Sequence, residues 1–177
     1  MKNNKTQSSP LKKQFRKEAM ERISSNYPLT KEMMKKYQDE LNWTLVSRNP
    51  NINWTVGMIK AFDHHIDWKV FSKYADGKLL FDEVIEQFKD KWDWNALSSN
   101  TNINFTIELL EKYFDRWDLS IVIQWRCWDR DIDSSSFDLL KRIRDLLPVD
   151  YLENTGFWDA VLDKEVDEII KEMLLNS

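Results

Sequence analysis

Two adjacent histidines with acidic neighbours are residues whose types could support chemistry. Asp63, His64, His65 and Asp67 lie within five positions, and histidine with carboxylate is a combination that binds metal ions or transfers protons. Neighbouring helical residues point about 100° apart, whereas a helical metal site uses histidines four positions apart. The chain has only these two histidines. We therefore expect a solvated or partner-facing pair, with no metal ion and no cofactor.

A regular series of short polar residues could indicate calcium binding or acid–base chemistry. It consists of Asn42, Asp67, Asp93 and Asp118, which recur at intervals of 25 or 26 residues. Each stands directly before a short apolar segment, the position of a helix N-cap, whose side chain accepts an otherwise unpaired backbone N–H. We therefore expect helix caps and not metal ligands. The single cysteine, Cys127, has no evident basic companion that would activate it as a nucleophile.

A cluster of tryptophan and arginine interrupts the later part of the chain. Trp125, Arg126, Trp128 and Arg130 fall in the insertion QWRCWDRDIDSS. Tryptophan and arginine are enriched among the residues that dominate binding energy at protein interfaces. These four residues are therefore candidates for partner binding. The alternative is that they fill the junction between two structural repeats.

An internal repeat organises most of the sequence. Its clearest copy is residues 89–105, KDKWDWNALSSNTNINF, and shifting the sequence by 25 or 26 residues aligns one column of Trp43, Trp68, Trp94 and Leu119. We divide the chain into a flexible tail (1–8), a capping helix (9–28), four repeats (29–53, 54–79, 80–104 and 105–128), and a degenerate repeat with a C-terminal cap (129–177).

The pattern within each copy predicts two helices. Thr30, Thr55 and Thr106 are positioned to cap a first helix of about ten residues, and the Asn/Asp column caps a shorter second helix. One such hairpin cannot bury its own apolar stripe, but stacked hairpins can. The sequence therefore predicts an all-α fold, a short α-solenoid of helical-hairpin repeats with N- and C-terminal capping helices, forming a single domain over 9–177.

The terminal helices are predicted from start signals and apolar spacing. Ser9-Pro10 is a helix start, and an apolar stripe follows at Leu11, Phe15, Ala19 or Met20, and Ile23. The degenerate repeat is expected to begin at Ser136. The last helix is expected to begin near Asp159, with an apolar stripe at Val161, Leu162, Val166, Ile169, Ile170 and Met173.

Charge and hydropathy limit the classes of partner. The net charge is −4, and residues 129–177 carry thirteen acidic against six basic residues, whereas residues 1–25 carry seven basic against two acidic residues. An acidic half would suit a basic partner. No apolar run is long enough to cross a bilayer, and the N-terminus lacks a secretory signal. We therefore expect a cytoplasmic protein with no membrane partner.

The units DELNWTLVSRNPNINW, DKWDWNALSSNTNINF and DHHIDWKVFSKYADGKLL resemble a family of tryptophan-rich helical repeats of bacteria and large viruses. The resemblance covers about residues 29–125 and implies an interaction scaffold without catalytic residues. Copy four departs from the family pattern at Leu119 and Ile123, where Trp and Ser are expected. That departure puts the packing of this copy in doubt.

These observations favour a non-enzymatic protein-binding module. Its surface would be the helix faces that differ between copies, chiefly Lys60, His64, His65, Glu83, Glu86, Ile107, Glu108 and Glu111. By analogy, an immunity or antitoxin protein that binds a basic toxin or effector would fit. A nucleic-acid-binding helical repeat is the alternative, less expected because the faces mix Lys with Glu. A regulator or enzyme that uses His64 and His65 is the third. The hand and curvature of the solenoid and its oligomeric state stay open.

Overall fold

The computed structural model describes residues 9–124 and 134–175, and all regular secondary structure in these ranges is α-helical. The all-α prediction is therefore confirmed. The helices are α1 (Pro10–Asn26), α2 (Lys31–Tyr37), α3 (Trp43–Ser47), α4 (Val56–Phe62), α5 (Trp68–Tyr74), α6 (Asp82–Gln87), α7 (Trp94–Ser98), α8 (Ile107–Lys112), α9 (Leu119–Val122), α10 (Ser134–Arg144), α11 (Val149–Leu152) and α12 (Gly156–Leu175).

The chain groups into two compact units, Met1–Lys91 and Trp92–Ser177. The first unit contains α1 to α6 and the second contains α7 to α12. The boundary falls inside the predicted copy 80–104, between its first and second helix. A single domain over 9–177 stays a prediction.

The first helix of copies one, two and four, which are α2, α4 and α8, begins after a threonine cap, as predicted. The hydroxyls of Thr30, Thr55 and Thr106 each accept a hydrogen bond from the backbone N–H three residues later, at 3.3, 3.2 and 3.2 Å. These helices span six or seven residues, fewer than the predicted ten. The reason is local: a hydrogen-bonded turn follows each helix and redirects the chain before another helical turn can form.

The first helix of copy three lacks this cap. Phe81 occupies the cap position of α6 with the extended backbone that the capping threonines have, but it makes no side-chain cap bond. Its ring is also exposed. We predict that Phe81→Thr raises the free energy of unfolding by about 1 kcal/mol, because the new hydroxyl can accept the N–H of Val84. Urea denaturation would measure the gain, and Thr55→Ala is the matched control, with an expected loss of similar size. An unchanged or lower stability for Phe81→Thr would contradict the prediction.

A column of buried serines links successive second helices, a role that the sequence did not reveal. Each hydroxyl donates to the carbonyl four residues earlier at 2.7 Å. Each also accepts the backbone N–H of the residue that caps the next second helix, at 2.9–3.0 Å. One side chain therefore fixes the spacing between two consecutive copies. The pairs are Ser24 with Asn42, Ser47 with Asp67, and Ser98 with Asp118.

The connections between copies use an asparagine turn with one variant. Asn49 and Asn100 each accept, through Oδ1, the backbone N–H two residues later, at 3.0 and 2.9 Å. Copy two has Tyr74 at this position, and Asp76 makes the equivalent bond, to the N–H of Lys78 at 2.7 Å. The different turn predicted for Asp76-Gly77 is therefore confirmed.

The N-terminal helix begins as predicted, but its first half is not packed as expected. Ser9 caps α1 with Pro10 at the first helical position, and Met20 is buried. Leu11 and Phe15, however, are 57% and 63% exposed. Helix α1 is roughly 25 Å long, whereas its packing partner α3 is only about 8 Å long. The first half of α1 therefore extends past the helix that would cover it.

The C-terminal helices also differ from the expectation. Helix α10 begins at Ser134, so Ser136 lies buried inside the helix and is not its cap. Helix α12 begins at Gly156, three residues before the predicted start, after Thr155, whose hydroxyl accepts the N–H of Trp158 at 3.2 Å.

The apolar stripe of α12 is buried only at its start. Phe157 and Val161 are buried, whereas the later apolar residues are exposed. Helix α12 is about 30 Å long and its packing partner α10 about 16 Å long, so the last turns of α12 extend beyond α10. The exposed positions of the predicted stripe are Leu162, Val166, Ile169, Ile170 and Met173.

Within the described ranges, no helix is both long enough and apolar enough to cross a lipid bilayer.

Candidate interaction surface

The tryptophan column packs between copies and does not form an open binding platform. The ring of Trp43 contacts Phe62 of the next copy, with ring centroids 5.3 Å apart. Trp94 contacts Tyr113 in the same way at 5.0 Å. These indoles are partly buried and not fully enclosed. The Nε1–H of Trp43 donates to the carbonyl of Gln38 at 2.9 Å, so the polar end of the ring is satisfied. The predicted packing role is therefore supported by direct ring contacts.

Each tryptophan is also contacted by the residue three positions after its aromatic partner, which is His65 after Phe62 and Arg116 after Tyr113. His65 stacks on Trp43 with ring centroids 4.6 Å apart and an angle of 11° between the planes. The guanidinium of Arg116, the equivalent residue in copy four, lies 5.5 Å from the ring centroid of Trp94. The expectation that His65 belongs to a solvated helix end is therefore wrong. Its imidazole packs against the indole because the turn after α4 directs it there.

Glu40 and Lys91 occupy the same column and make ionic contacts instead. Glu40 accepts two hydrogen bonds from the guanidinium of Arg16, one at 2.8 Å, and this pairing lowers the pKa of Glu40. Lys91 lies 3.1 Å from Asp63. In all four sequence copies, the residue at this position therefore contacts a residue that precedes the copy in the chain.

His64 remains on the surface, beside Asp63. Its side chain is 67% exposed, and Nδ1 lies 3.4 Å from the Asp63 carboxylate. The pKa of Asp63 is lowered, first because Lys91 donates to the carboxylate and to a smaller extent because of His64. A carboxyl group with a lowered folded-state pKa contributes stability above its unfolded pKa, and the contribution is lost as the pH falls through the folded value. The Asp63 cluster therefore favours the folded state at neutral pH and weakens in acid.

In the part of the chain that the structure describes, no three His, Cys, Asp or Glu side chains group closely enough to hold a metal ion. His64 and His65 have ring centroids 4.2 Å apart, but Asp67, the other acidic neighbour, points elsewhere. Its Oδ1 accepts the N–H of Val70 at 3.2 Å, and its Oδ2 accepts the hydroxyl of Thr44 at 2.9 Å. Within the sequence Asp63 to Asp67, His65 therefore packs against Trp43 and Asp67 caps α5.

The two histidines should respond differently to substitution. We predict that His65→Ala lowers the free energy of unfolding by roughly 1 kcal/mol, because the stacked contact with Trp43 is lost. The matched control, His64→Ala, should change it by less than about 0.5 kcal/mol, as is usual for exposed positions. Guanidinium denaturation followed by tryptophan fluorescence would measure both. Equal effects of the two substitutions would contradict the assigned packing role of His65.

The Asn/Asp column consists mainly of helix caps, as predicted. Asn42 and Asp93 accept the backbone N–H three residues later at 3.2 and 2.9 Å, as Asp67 does. Asp118 is the exception, because its Oδ1 accepts the hydroxyl of Ser120 at 2.6 Å and makes no cap bond. Its Oδ2 accepts a hydrogen bond from the side-chain amide of Asn95 at 2.9 Å, which matches the bond from Thr44 to Asp67 two repeats earlier. The carboxylates are engaged in folding contacts.

The outward faces of the first helices carry most of the predicted surface residues. Lys60, Glu83 and Glu108 are exposed, and within the described ranges none of the three forms an ion pair. Glu86 pairs with Lys89 at 2.8 Å, and Glu111 lies 4.0 Å from Arg142. The exposed charge therefore changes from copy to copy, with a lysine on α4 and glutamates on α6 and α8.

One residue assigned to this surface does not belong to it. Ile107 is 4% exposed, so its assignment to the binding face is wrong. It is the first residue of α8 and its side chain turns inward, whereas Val56, the first residue of α4, is partly exposed.

The tryptophan and arginine cluster, Trp125, Arg126, Trp128 and Arg130, lies outside the described residues, as does Cys127. The candidate surface positions lie, in the first unit, on the exposed faces of α2, α4 and α6 and at His64. In the second unit they lie on the exposed face of α8.

Comparison with known proteins adds no assignment to this surface. The chain matches no protein-family model, no curated protein and no solved structure. The resemblance to tryptophan-rich helical repeats stays a prediction.

Proposed function

We propose that this chain is a short α-solenoid of helical-hairpin repeats that binds a protein partner and catalyses no reaction. The observation that carries the proposal is the contrast between two sets of positions. The serine, tryptophan and cap columns make the same contacts in successive copies. The exposed positions on the first helices differ in charge and size. Repeat scaffolds present binding surfaces in this way, because packing constrains one set of columns and leaves the other free to vary.

The chemistry of the exposed faces favours a basic partner. Glu83 and Glu108 are exposed acids without an ion-pairing lysine or arginine in the described ranges. An unpaired surface carboxylate can meet a partner's cation without first breaking an existing pair. His64 adds an exposed ring that can donate or accept a hydrogen bond. A cytoplasmic immunity or antitoxin protein that neutralises a basic toxic effector would use such a surface, and this is the specific role that we propose.

Charge reversal tests the proposed surface. We would compare the wild-type protein with Glu83→Lys/Glu108→Lys as bait for partners from the native host, with every sample treated with nuclease. The matched control is Asp145→Lys/Glu153→Lys, which reverses two exposed acids elsewhere. The double variant, with one substitution in each unit, should lose at least about tenfold of the captured partner, as expected when two interface charges are reversed. The control should retain it.

A second readout connects capture to the proposed role. Cells that express the captured partner should be protected by the wild-type protein and by the control, but not by the Glu83→Lys/Glu108→Lys variant. Equal capture by all three proteins would exclude this face. Capture that disappears after nuclease treatment would favour the nucleic-acid alternative, and a captured protein that is not toxic would exclude the antitoxin role.

A further inference from the structure

The groove between α1 and α2 is lined by apolar side chains, and no other described element of the first unit covers it. It has a volume of about 540 Å³ and is lined by Phe15, Ala19, Ile23, Met33 and Tyr37, among others. This volume lies within the range of roughly 300–1,000 Å³ that is usual for ligand pockets. Lys12 and Arg16 also line it, and Leu11 lies exposed on the same helix. An exposed apolar groove with a basic edge is typical of a docking site.

The repeat pattern indicates that a helix equivalent to the first helix of a copy would fit this groove. Helix α1 behaves as a second helix, because Ser24 makes the two bonds that Ser47 and Ser98 make in the later copies. In each later copy, a second helix follows a first helix. The groove beside α1 and α2 is the place that such a preceding first helix would occupy.

Helix α12 has the features of a first helix. Thr155 caps it through a bond to the N–H three residues later, which is the bond that Thr30, Thr55 and Thr106 make. Its exposed apolar residues lie at spacings of four, three, one and three, which place them on one face of a helix. They are Leu162, Val166, Ile169, Ile170 and Met173.

The two surfaces are complementary in charge. Helix α12 carries six acidic residues and two lysines, whereas α1 carries five basic residues and two glutamates. Asp163 and Asp167 are exposed beside the apolar stripe of α12, and Lys12 and Lys13 are exposed on α1. Opposite charges around two apolar faces accelerate their association and disfavour pairing of like faces.

We propose that α12 of one molecule docks in the α1–α2 groove of a second copy of the chain. The pair formed by α12 of one copy and α1 of the next would complete a helical hairpin. The two contacting surfaces are different, so the interface is heterologous and each copy offers one of each. This proposal uses the repeat packing of the proposed solenoid but does not depend on its protein partner.

Self-association measured by sedimentation tests the proposal. The mean mass of the wild-type protein should rise with protein concentration, and the rise should decrease at high salt because the surfaces are oppositely charged. Phe15→Ser in the groove and Ile169→Ser on α12 should each weaken association at least about tenfold, as for central interface residues. Both side chains are exposed in the single chain, so neither substitution removes a core contact. Phe81→Ser, at another exposed aromatic, is the control and should associate like the wild type.

Mixing the two variants distinguishes a head-to-tail interface from a symmetric one. The Phe15→Ser protein keeps an intact α12, and the Ile169→Ser protein keeps an intact groove. An equimolar mixture should therefore form a 1:1 pair and stop at two chains. A symmetric interface would be weakened by only one of the two substitutions, and the mixture would then form no 1:1 pair; that result would overturn the proposal.

The remaining outcomes are also decisive. A wild-type protein that stays monomeric at all concentrations would overturn the proposal, and so would association that neither substitution weakens. If either variant lost helical circular dichroism, Met33→Ser in the groove and Val166→Ser on α12 would replace them, since both residues are exposed. Binding of the groove to anionic vesicles by a monomeric protein would assign α1 to a lipid surface instead. Loss of partner capture by the Glu83 and Glu108 variant is measured separately and leaves this test unaffected.

Discussion

Replacing Trp117 with alanine is expected to lower the free energy of unfolding by about 3–5 kcal/mol, as for other large buried aromatic residues. The side chain is 5% exposed. Its ring contacts Trp94 and Phe105, with centroids 4.8 and 5.1 Å away. Its Nε1–H donates to the carbonyl of Leu109 at 3.2 Å. The substitution removes an aromatic cluster at its centre and leaves a buried carbonyl without this donor.

Guanidinium denaturation followed by far-ultraviolet circular dichroism would measure this effect. Trp117→Phe is the matched control, because it keeps an aromatic ring while removing the N–H donor and part of the ring volume, so its loss should be clearly smaller. Trp94→Ala should also cost less than Trp117→Ala, since Trp94 is only partly buried. A loss below about 1 kcal/mol for Trp117→Ala would mean that the ring is not part of the core, since buried aromatic deletions exceed that value.

Asn49→Ala is expected to lower the free energy of unfolding by roughly 2–3 kcal/mol, because it removes three hydrogen bonds from a buried site. The amide of Asn49 donates to the carbonyls of Ser24 and Tyr27 at 3.0 and 2.9 Å. Its Oδ1 accepts the N–H of Asn51 at 3.0 Å. The side chain is 4% exposed, so water cannot replace these partners easily. One side chain thus joins the end of α1 to the turn that leads into copy two.

Two further substitutions separate the contributions of this asparagine. Asn49→Asp keeps the acceptor for Asn51 but places a carboxylate against two carbonyl oxygens, so its cost should equal or exceed that of alanine. Asn51→Ala is the surface control, because Asn51 is exposed and makes one side-chain bond, to the carbonyl of Asn26 at 2.9 Å. Urea denaturation should rank Asn49→Asp and Asn49→Ala well above Asn51→Ala. Equal costs would show that the buried bonds do not connect the copies.

Much of the helical framework is determined by residues that are close together in the sequence. A capping residue and the N–H that it bonds are three positions apart, so Ser9, Thr30, Thr55 and Thr106 mark helix starts without knowledge of the fold. Ser136 and Asp159 were less successful as start signals. Helix α10 begins before Ser136, and α12 begins before Asp159, directly after Thr155, whose hydroxyl accepts the N–H of Trp158.

The candidate site could be predicted only in part. The repeat alignment placed Lys60, Glu83 and Glu108 on exposed faces, because residues outside the apolar stripe of a helix face solvent. It failed for Ile107, which is buried, and for His65, which stacks on Trp43. The error at His65 arises from a contact with a residue of the preceding copy, which a single helical pattern does not contain.

The sequence by itself determined the helical class and most of the caps, since both depend on propensity and spacing within about one turn of helix. The period of the repeat followed from aligning the sequence with itself. Only the tertiary structure decided which apolar residues are covered. Phe15 and Ile169 follow the same spacing rule as Met20 and Val161, yet the first two are exposed and the last two are buried. The reason is length, because α1 and α12 are longer than the helices packed against them, and an apolar stripe is buried only where a neighbour reaches it.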